Sequence, residues 1–308
     1  MRLGLVMSVT VVLASCDRAS ETKKTPGLDA STITSASASS VPSQTTSAPV
    51  AASVSAASSV AETPVSTLPT SSGACPAGML LVDGEFCPTL LHRCVDWIDE
   101  EKDRCRAYAP DSGKCFGKPK KLRFCIDKYE YPNLEGVKPA VMPDWHDAKD
   151  ACEIEGKRLC QSSEWTLACE GPEHTPYPYG WVRDTTACNI DRPRPTPEPD
   201  FEAFSHPRRI MAEVDRLDLR VKSGELPACV SKYGVHDMTG NVDEWVVNEK
   251  HFEPTEPGKK KPYISGLKGG YWGPIRARCR PATTSHNEWF RFYQVGFRCC
   301  ADARPGGG

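Results

Sequence analysis

Long apolar runs and an excess of either charge are both missing from this 308-residue chain. With 38 Lys and Arg against 40 Asp and Glu, the formal net charge is -2, which leaves no electrostatic footprint for nucleic acid. The short basic runs Lys118 to Lys121 and Lys259 to Lys261 sit beside Pro and Gly and read as solvated loops. No Cys-x-x-Cys pair occurs, which argues against a zinc site. The histidines, His92, His146, His174, His206, His236, His251 and His286, are scattered without ligand spacing and read as packed or surface residues. From Asp17 to Ser72 aromatic residues are absent, and charge almost disappears after Asp29, so this stretch buries too little apolar surface to offset the entropy of ordering it.

What is present begins at the N-terminus. Arg2 precedes an apolar run from Leu3 to Leu13, too short to span a membrane, and Leu13-Ala14-Ser15-Cys16 follows at its end. The run reads as a secretory signal whose end resembles a bacterial lipobox, so Cys16 is the expected lipidation site and the membrane an expected partner. The predicted organisation is a lipoprotein signal at 1–16, a Ser/Thr/Ala/Pro tether at 17–72 and a folded domain at 73–303 with a Cys-rich insertion at 87–122. As a flexible coil the tether has ends on the order of 40 Å apart. The expected location is the cell envelope, lipid-anchored and facing the periplasm or the exterior.

Cysteine usage agrees with export. Apart from Cys16, 14 of the 15 cysteines remain, an even number that predicts up to seven disulfides in an oxidising compartment. Met79 to Phe86 and Arg123 to Tyr131 read as strands. Asp144 to Glu155 carries Trp145, Ala148, Ala151 and Cys152 at helical spacing before Gly156. A second helix is expected from a Ser162 or Ser163 cap to Gly171, burying Trp165, Ala168 and Cys169. Met211 to Val221 reads as a surface segment or a short helix, and Arg192 to Pro199 as irregular or polyproline-like.

A set of ordered signatures fills the C-terminal half. Lys157-Arg158-Leu159 precedes Glu164-Trp165, Tyr177-Pro178-Tyr179-Gly180 and Asn189-Ile190. Then come Asp237-Met238-Thr239-Gly240-Asn241-Val242-Asp243-Glu244-Trp245, Gly269-Gly270 and Gly296-Phe297-Arg298-Cys299. Together they resemble the sulfatase-modifying factor family, whose best-known member is the formylglycine-generating enzyme. The similarity runs from about Met79 to Cys300, interrupted by the Cys-rich insertion and the loop around Asp191 to Leu226. It implies an irregular, loop-rich α+β fold related to C-type lectins.

The resemblance also implies that Cys152 bonds Cys299 and that Cys169 bonds Cys279. If Cys299-Cys300 lies in a strand, the two side chains point to opposite faces and need different partners. Cys160 is the guess for Cys300, and Cys188 with Cys229 a further one, with free buried thiols as the alternative. In the enzyme, copper(I) is held by two cysteines after the Gly-Gly signature, as a soft ion requires. Here only eight residues separate Gly270 from Cys279, and Cys279 is assigned to a structural bond. Tyr271 stands where the resemblance expects serine, and Asp243 where it expects tryptophan. Copper is therefore not expected, and no catalytic residue is assigned.

Calcium is the expected cofactor by resemblance, with Asp237, Gly240, Val242 and Glu244 as one ligand set and Asn189 and Ile190 beginning a second. Both sets supply the hard oxygens that calcium takes. Tyr271, Trp272, Arg276, Trp289 and Arg298 are the candidate ligand-binding residues, because flat aromatic faces and forked guanidinium donors dominate binding hot spots. The expected function is a binding or scaffolding module for a protein or glycan, without copper oxidase chemistry. The alternative is a metal-dependent oxidoreductase that modifies exported proteins.

Overall fold

The computed structural model describes residues 73–305. The signal, Cys16 and the tether lie outside the described residues.

The first strand, β1 (Met79–Phe86), pairs antiparallel with β4 (Lys120–Asp127), Met79 opposite Asp127 and Phe86 opposite Lys120. Strand β4 starts before the expected Arg123 and stops before Tyr131. It stops because the Asn133 side chain accepts the Tyr129 backbone N–H at 3.0 Å, which diverts the chain into a turn. The far side of β4 carries β10 (Cys299–Asp302), and β10 in turn carries β5 (Arg158–Leu159), so the sheet order is β1-β4-β10-β5. Between β1 and β4 the Cys-rich stretch folds into a hairpin, β2 (Cys94–Asp99) and β3 (Arg104–Tyr108). Its two disulfides, Cys87–Cys115 and Cys94–Cys105, staple a segment with few large apolar residues.

A second sheet runs in the order β8 (Ala282–Thr283), β7 (Ser265–Lys268), β6 (Asp243–Val247) and β9 (Val295–Phe297). Its β6–β9 pair is parallel and the others antiparallel. Two helices fill the space around the sheets. Helix α1 (Trp145–Ile154) opens with a reciprocal cap: Asp147 N–H donates to Asp144 Oδ1 at 2.9 Å and Asp144 N–H to Asp147 Oδ2 at 3.1 Å. Its buried face, Trp145, Ala148 and Cys152, packs on Leu159, Trp245, Val295 and Phe297.

Helix α2 (Ser162–Glu170) is capped one residue earlier than expected. Gln161 N–H donates to Glu164 Oε2 at 2.9 Å, while Ser163 turns its own N–H and hydroxyl to Glu249. Every residue of α2 from Ser163 to Glu170 is buried, with Trp165, Leu167 and Ala168 packed on Val82, Phe124, Ile126 and Val246. A helix enclosed on all sides lacks an amphipathic stripe. Ile210–Leu217 forms α3, whose Val214 and Leu217 pack against Trp272 and Tyr293.

Seven disulfides tie this irregular α+β fold together. Cys152–Cys299 joins α1 to β10, and Cys160–Cys300 takes the neighbouring thiol from the opposite face of the same strand. Cys169–Cys279 joins α2 to the loop after β7, Cys188–Cys229 closes the core beside Ile190, and Cys75–Cys125 pins the start of the domain. All fourteen cysteines of the described residues are therefore disulfide-bonded. That density belongs to an exported protein folded in an oxidising compartment. Among the described residues no helix is long and apolar enough to cross a membrane.

Candidate functional site

The site forms where β7 ends. Gly269 and Gly270 both take positive φ, +86° and +75°, and turn the chain sharply away from the sheet. A Cβ at Gly269 would lie 2.9 Å from the Met238 carbonyl oxygen, and one at Gly270 2.8 Å from Ile275, so only glycine fits. The following loop is held from beneath by Arg183, which donates to the carbonyls of Ile275 at 2.8 Å and Ala277 at 3.1 Å. Asp191 in turn holds Arg183 through two contacts of 2.7 and 2.8 Å. Cys279 closes the loop by its bond to Cys169 on α2.

This loop roofs a cavity of about 340 Å³. Asp243, the first residue of β6, lies at its floor, half-buried, and accepts the Gly270 N–H at 3.0 Å. Burial pushes the Asp243 carboxyl up to about 7, against the opposing pull of Gly270 N–H and Arg276. Beside it Gln294 Oε1 is buried without a hydrogen-bond partner. Tyr271 lines one wall, its phenol raised by burial. Lys102, Arg194, Arg276 and Arg278 supply the cationic part of the lining, and Leu267, Ile275, Phe290 and Val295 much of the apolar part. Arg278 is neutralised by Asp103 at 2.7 and 2.9 Å, and Lys102 by Asp99 at 2.8 Å. Arg194 and Arg276 are exposed, and neither has a carboxylate partner among the described residues.

The residues singled out in the sequence divide between places. Tyr271 and Arg276 line the cavity, while Trp272, 2% exposed, lines an adjoining depression with Tyr293. Trp289 is 69% exposed and stands elsewhere, its ring 4.5 Å from that of His146 on α1. Arg298 is fully buried and away from the cavity; it donates to both oxygens of Glu244 at 2.7 and 2.8 Å. Glu244 also accepts Trp165 Nε1–H at 2.8 Å, and Arg158 clamps Glu164 through two 2.7 Å contacts. The signature residues Arg158, Glu164, Trp165, Glu244 and Arg298 thus form framework contacts. Arg194 and Gln294 carried no signal in the sequence, since one lies in a proline-rich stretch and the other in no motif.

The turn proposed for calcium is occupied by its own partners. Besides Arg298 on Glu244, Asp237 Oδ2 accepts Gly224 N–H at 2.8 Å. Asn241 accepts from Val221 N–H and Asn189 and donates to Glu130 at 2.8 Å. Gly240 and Val242 belong to the same turn, with Val242 N–H donating to Glu130 Oε1 at 3.3 Å. Burial pushes the Glu130 and Asp237 carboxyls up, and neighbouring carboxylates add to it. Asn189 spans Leu219, Asn241 and Arg192, and Ile190 is buried beside it. Asp191, next along, is bound to Arg183 and Arg104. Among the described residues no three acidic, histidine or cysteine side chains are grouped to hold a metal ion. Of the two carboxylates in the first expected set, Glu244 is thus held by the Arg298 guanidinium and Asp237 by a single backbone N–H, while Gly240 and Val242 would contribute carbonyl oxygens.

Two curated relatives resemble the chain over 178 residues. One is the serine/threonine-protein kinase Pkn1 of Chlamydia trachomatis, at 28% identity, covering 54% of this chain and 24% of the kinase. The other is the inactive C-alpha-formylglycine-generating enzyme 2 of Bos taurus, at 26% identity, covering 55% of this chain and 52% of that protein. The chain thus spans at most about half the length of these curated relatives. Among solved structures, PvdO from Pseudomonas aeruginosa aligns with a TM-score of 0.45 and 17% identity, over 73% of this chain and 94% of PvdO. The model of the sulfatase-modifying factor enzyme 1-like domain matches residues 118–303, and the chain belongs to that family.

Proposed function

We propose that this domain is a binding module that has lost the copper oxidase chemistry of the formylglycine-generating enzyme and uses the cavity beneath the Gly269-Gly270 turn to hold a protein or glycan ligand. One observation carries the reading. Copper(I) needs a pair of thiolates, and the only cysteine of the loop, Cys279, is bonded to Cys169. The cavity offers carboxyl, amide, phenol and guanidinium groups instead, which are recognition chemistry. The Bos taurus relative, an inactive formylglycine-generating enzyme by name, supports the same reading. The lipid at Cys16 would hold the module at the cell envelope, with the tether setting its reach.

Mass spectrometry tests the loss of activity directly. The full chain is incubated with a sulfatase peptide carrying Cys-x-Pro-x-Arg, copper(I), oxygen and a reductant, beside an active enzyme. The expected result is unmodified cysteine. Conversion to formylglycine would return the protein to the metal-dependent oxidoreductases that modify exported proteins.

A further inference from the structure

The cavity is the middle of a longer groove. On one side it shares Arg194, Tyr271, Pro274 and Gln294 with a depression of about 210 Å³ among prolines and packed aromatic rings. On the other it shares Arg276, Arg278 and Pro281 with an open trough of about 350 Å³. Arg194 therefore stands at one junction and Arg276 at the other. Elsewhere on this side guanidinium charge is answered internally: Arg104 and Arg183 by Asp191, Arg278 by Asp103, Arg280 by Glu170. The central cavity sets four cationic side chains against the single carboxyl of Asp243. Two exposed guanidiniums without an acidic partner, set along a groove, call for anionic groups on whatever lies in it.

One feature favours a polypeptide over an anionic sugar chain. The groove passes Ala282 and Thr283, which form the terminal strand of the second sheet and can pair with an extended backbone. Trp272 and Tyr293 in the aromatic depression are only 2% and 4% exposed, and the open ring there is Phe201, 69% exposed, which suits an apolar side chain beside the acidic ones.

We infer that the groove takes an extended acidic peptide, with carboxylates on Arg194 and Arg276. This inference rests on the binding-module reading and narrows its ligand. The probe is a fluorescein-labelled dodecapeptide alternating glutamate and threonine, followed by anisotropy with the full chain. It is compared with counterparts carrying glutamine or lysine for glutamate, and with a labelled oligogalacturonate.

The acidic peptide should bind about tenfold or more tightly than the glutamine peptide, weaken as salt rises, and lose at least about tenfold in the Arg194→Gln/Arg276→Gln double variant. Both arginines are exposed and lack carboxylate partners, and the contact of Arg276 to Thr283 Oγ1 at 3.2 Å is itself exposed, so that variant should melt within about a degree or two of the parent. Equal binding of the glutamine or lysine peptide, binding of oligogalacturonate alone, or indifference to the double substitution would overturn the acidic-peptide inference while leaving a binding module. Failure of every probe would overturn it as well, and the formylglycine assay would still decide the wider reading independently.

Discussion

Asp243 lies where two demands meet. As the first residue of β6 it donates its N–H to the Gln294 carbonyl at 2.9 Å, and its carboxylate anchors the Gly270 turn. Its carboxyl is pushed up to about 7 in the fold, against about 3.9 in an unfolded chain. A carboxyl raised on folding is most favourable while protonated. Stability therefore falls as pH climbs through the interval between those values, and the penalty is complete above about 7. Asp243→Asn keeps the acceptor for Gly270 and removes the charge. The variant should melt several degrees above the parent at pH 8, with the gap narrowing toward pH 4. A gap independent of pH in scanning fluorimetry would mean that Asp243 does not titrate in this window. None of this was readable from the sequence, where Asp243 registered only as a departure from the family pattern.

Elements were legible in proportion to how local their causes are. Trp145, Ala148 and Cys152 repeat at helical spacing behind an Asp144 cap, so α1 could be placed from a dozen residues. The cap of α2 was displaced because Ser163 bonds Glu249, a partner far along the chain. The parallel pairing of β6 with β9, Asp243 opposite Val295, likewise has no local signature. The disulfides join the same distant elements. Cys152–Cys299 has a sequence separation of 147 and Cys94–Cys105 one of 11. Cross-links that close longer loops remove more entropy from the unfolded chain. Because Cys160–Cys300 closes nearly the same loop, the long-loop effect appears when both bonds are removed, and replacing Cys152, Cys160, Cys299 and Cys300 together by alanine should cost about 2–5 kcal/mol or more. The Cys94/Cys105 double variant should cost less, as urea unfolding would measure; the reverse order would show that local strain outweighs loop closure.

At the scale of the whole molecule, one buried guanidinium serves three buried carboxyl groups. Arg298, fully buried, faces Glu244 and lies within the field of Glu130 and Asp237. Removing one partner of such a pair strands a charge in a poor solvent, which is why the arrangement persists. A ligand that binds only the folded state raises its stability in proportion to the logarithm of its concentration over its Kd. With Glu244 committed to Arg298, excess calcium and EDTA should give melting temperatures within about 1 °C of each other. A rise of several degrees in calcium would show that Glu244 exchanges its guanidinium for the metal.

Composition, patterning and motif order alone determined a disulfide-rich domain by its even cysteine count and the family by its ordered signatures. These follow from what neighbouring residues can do, or from blocks that remain recognisable one by one. Tertiary structure decided the rest. It turned Glu244 to Arg298, bonded Cys279 to α2, and sent Trp289 and Arg298 away from the cavity that Tyr271 and Arg276 share. It also brought Arg194, from a stretch without motif, to the junction of two depressions. Each outcome depends on which distant segment arrives opposite a side chain, and that is fixed only when the two sheets close around α2.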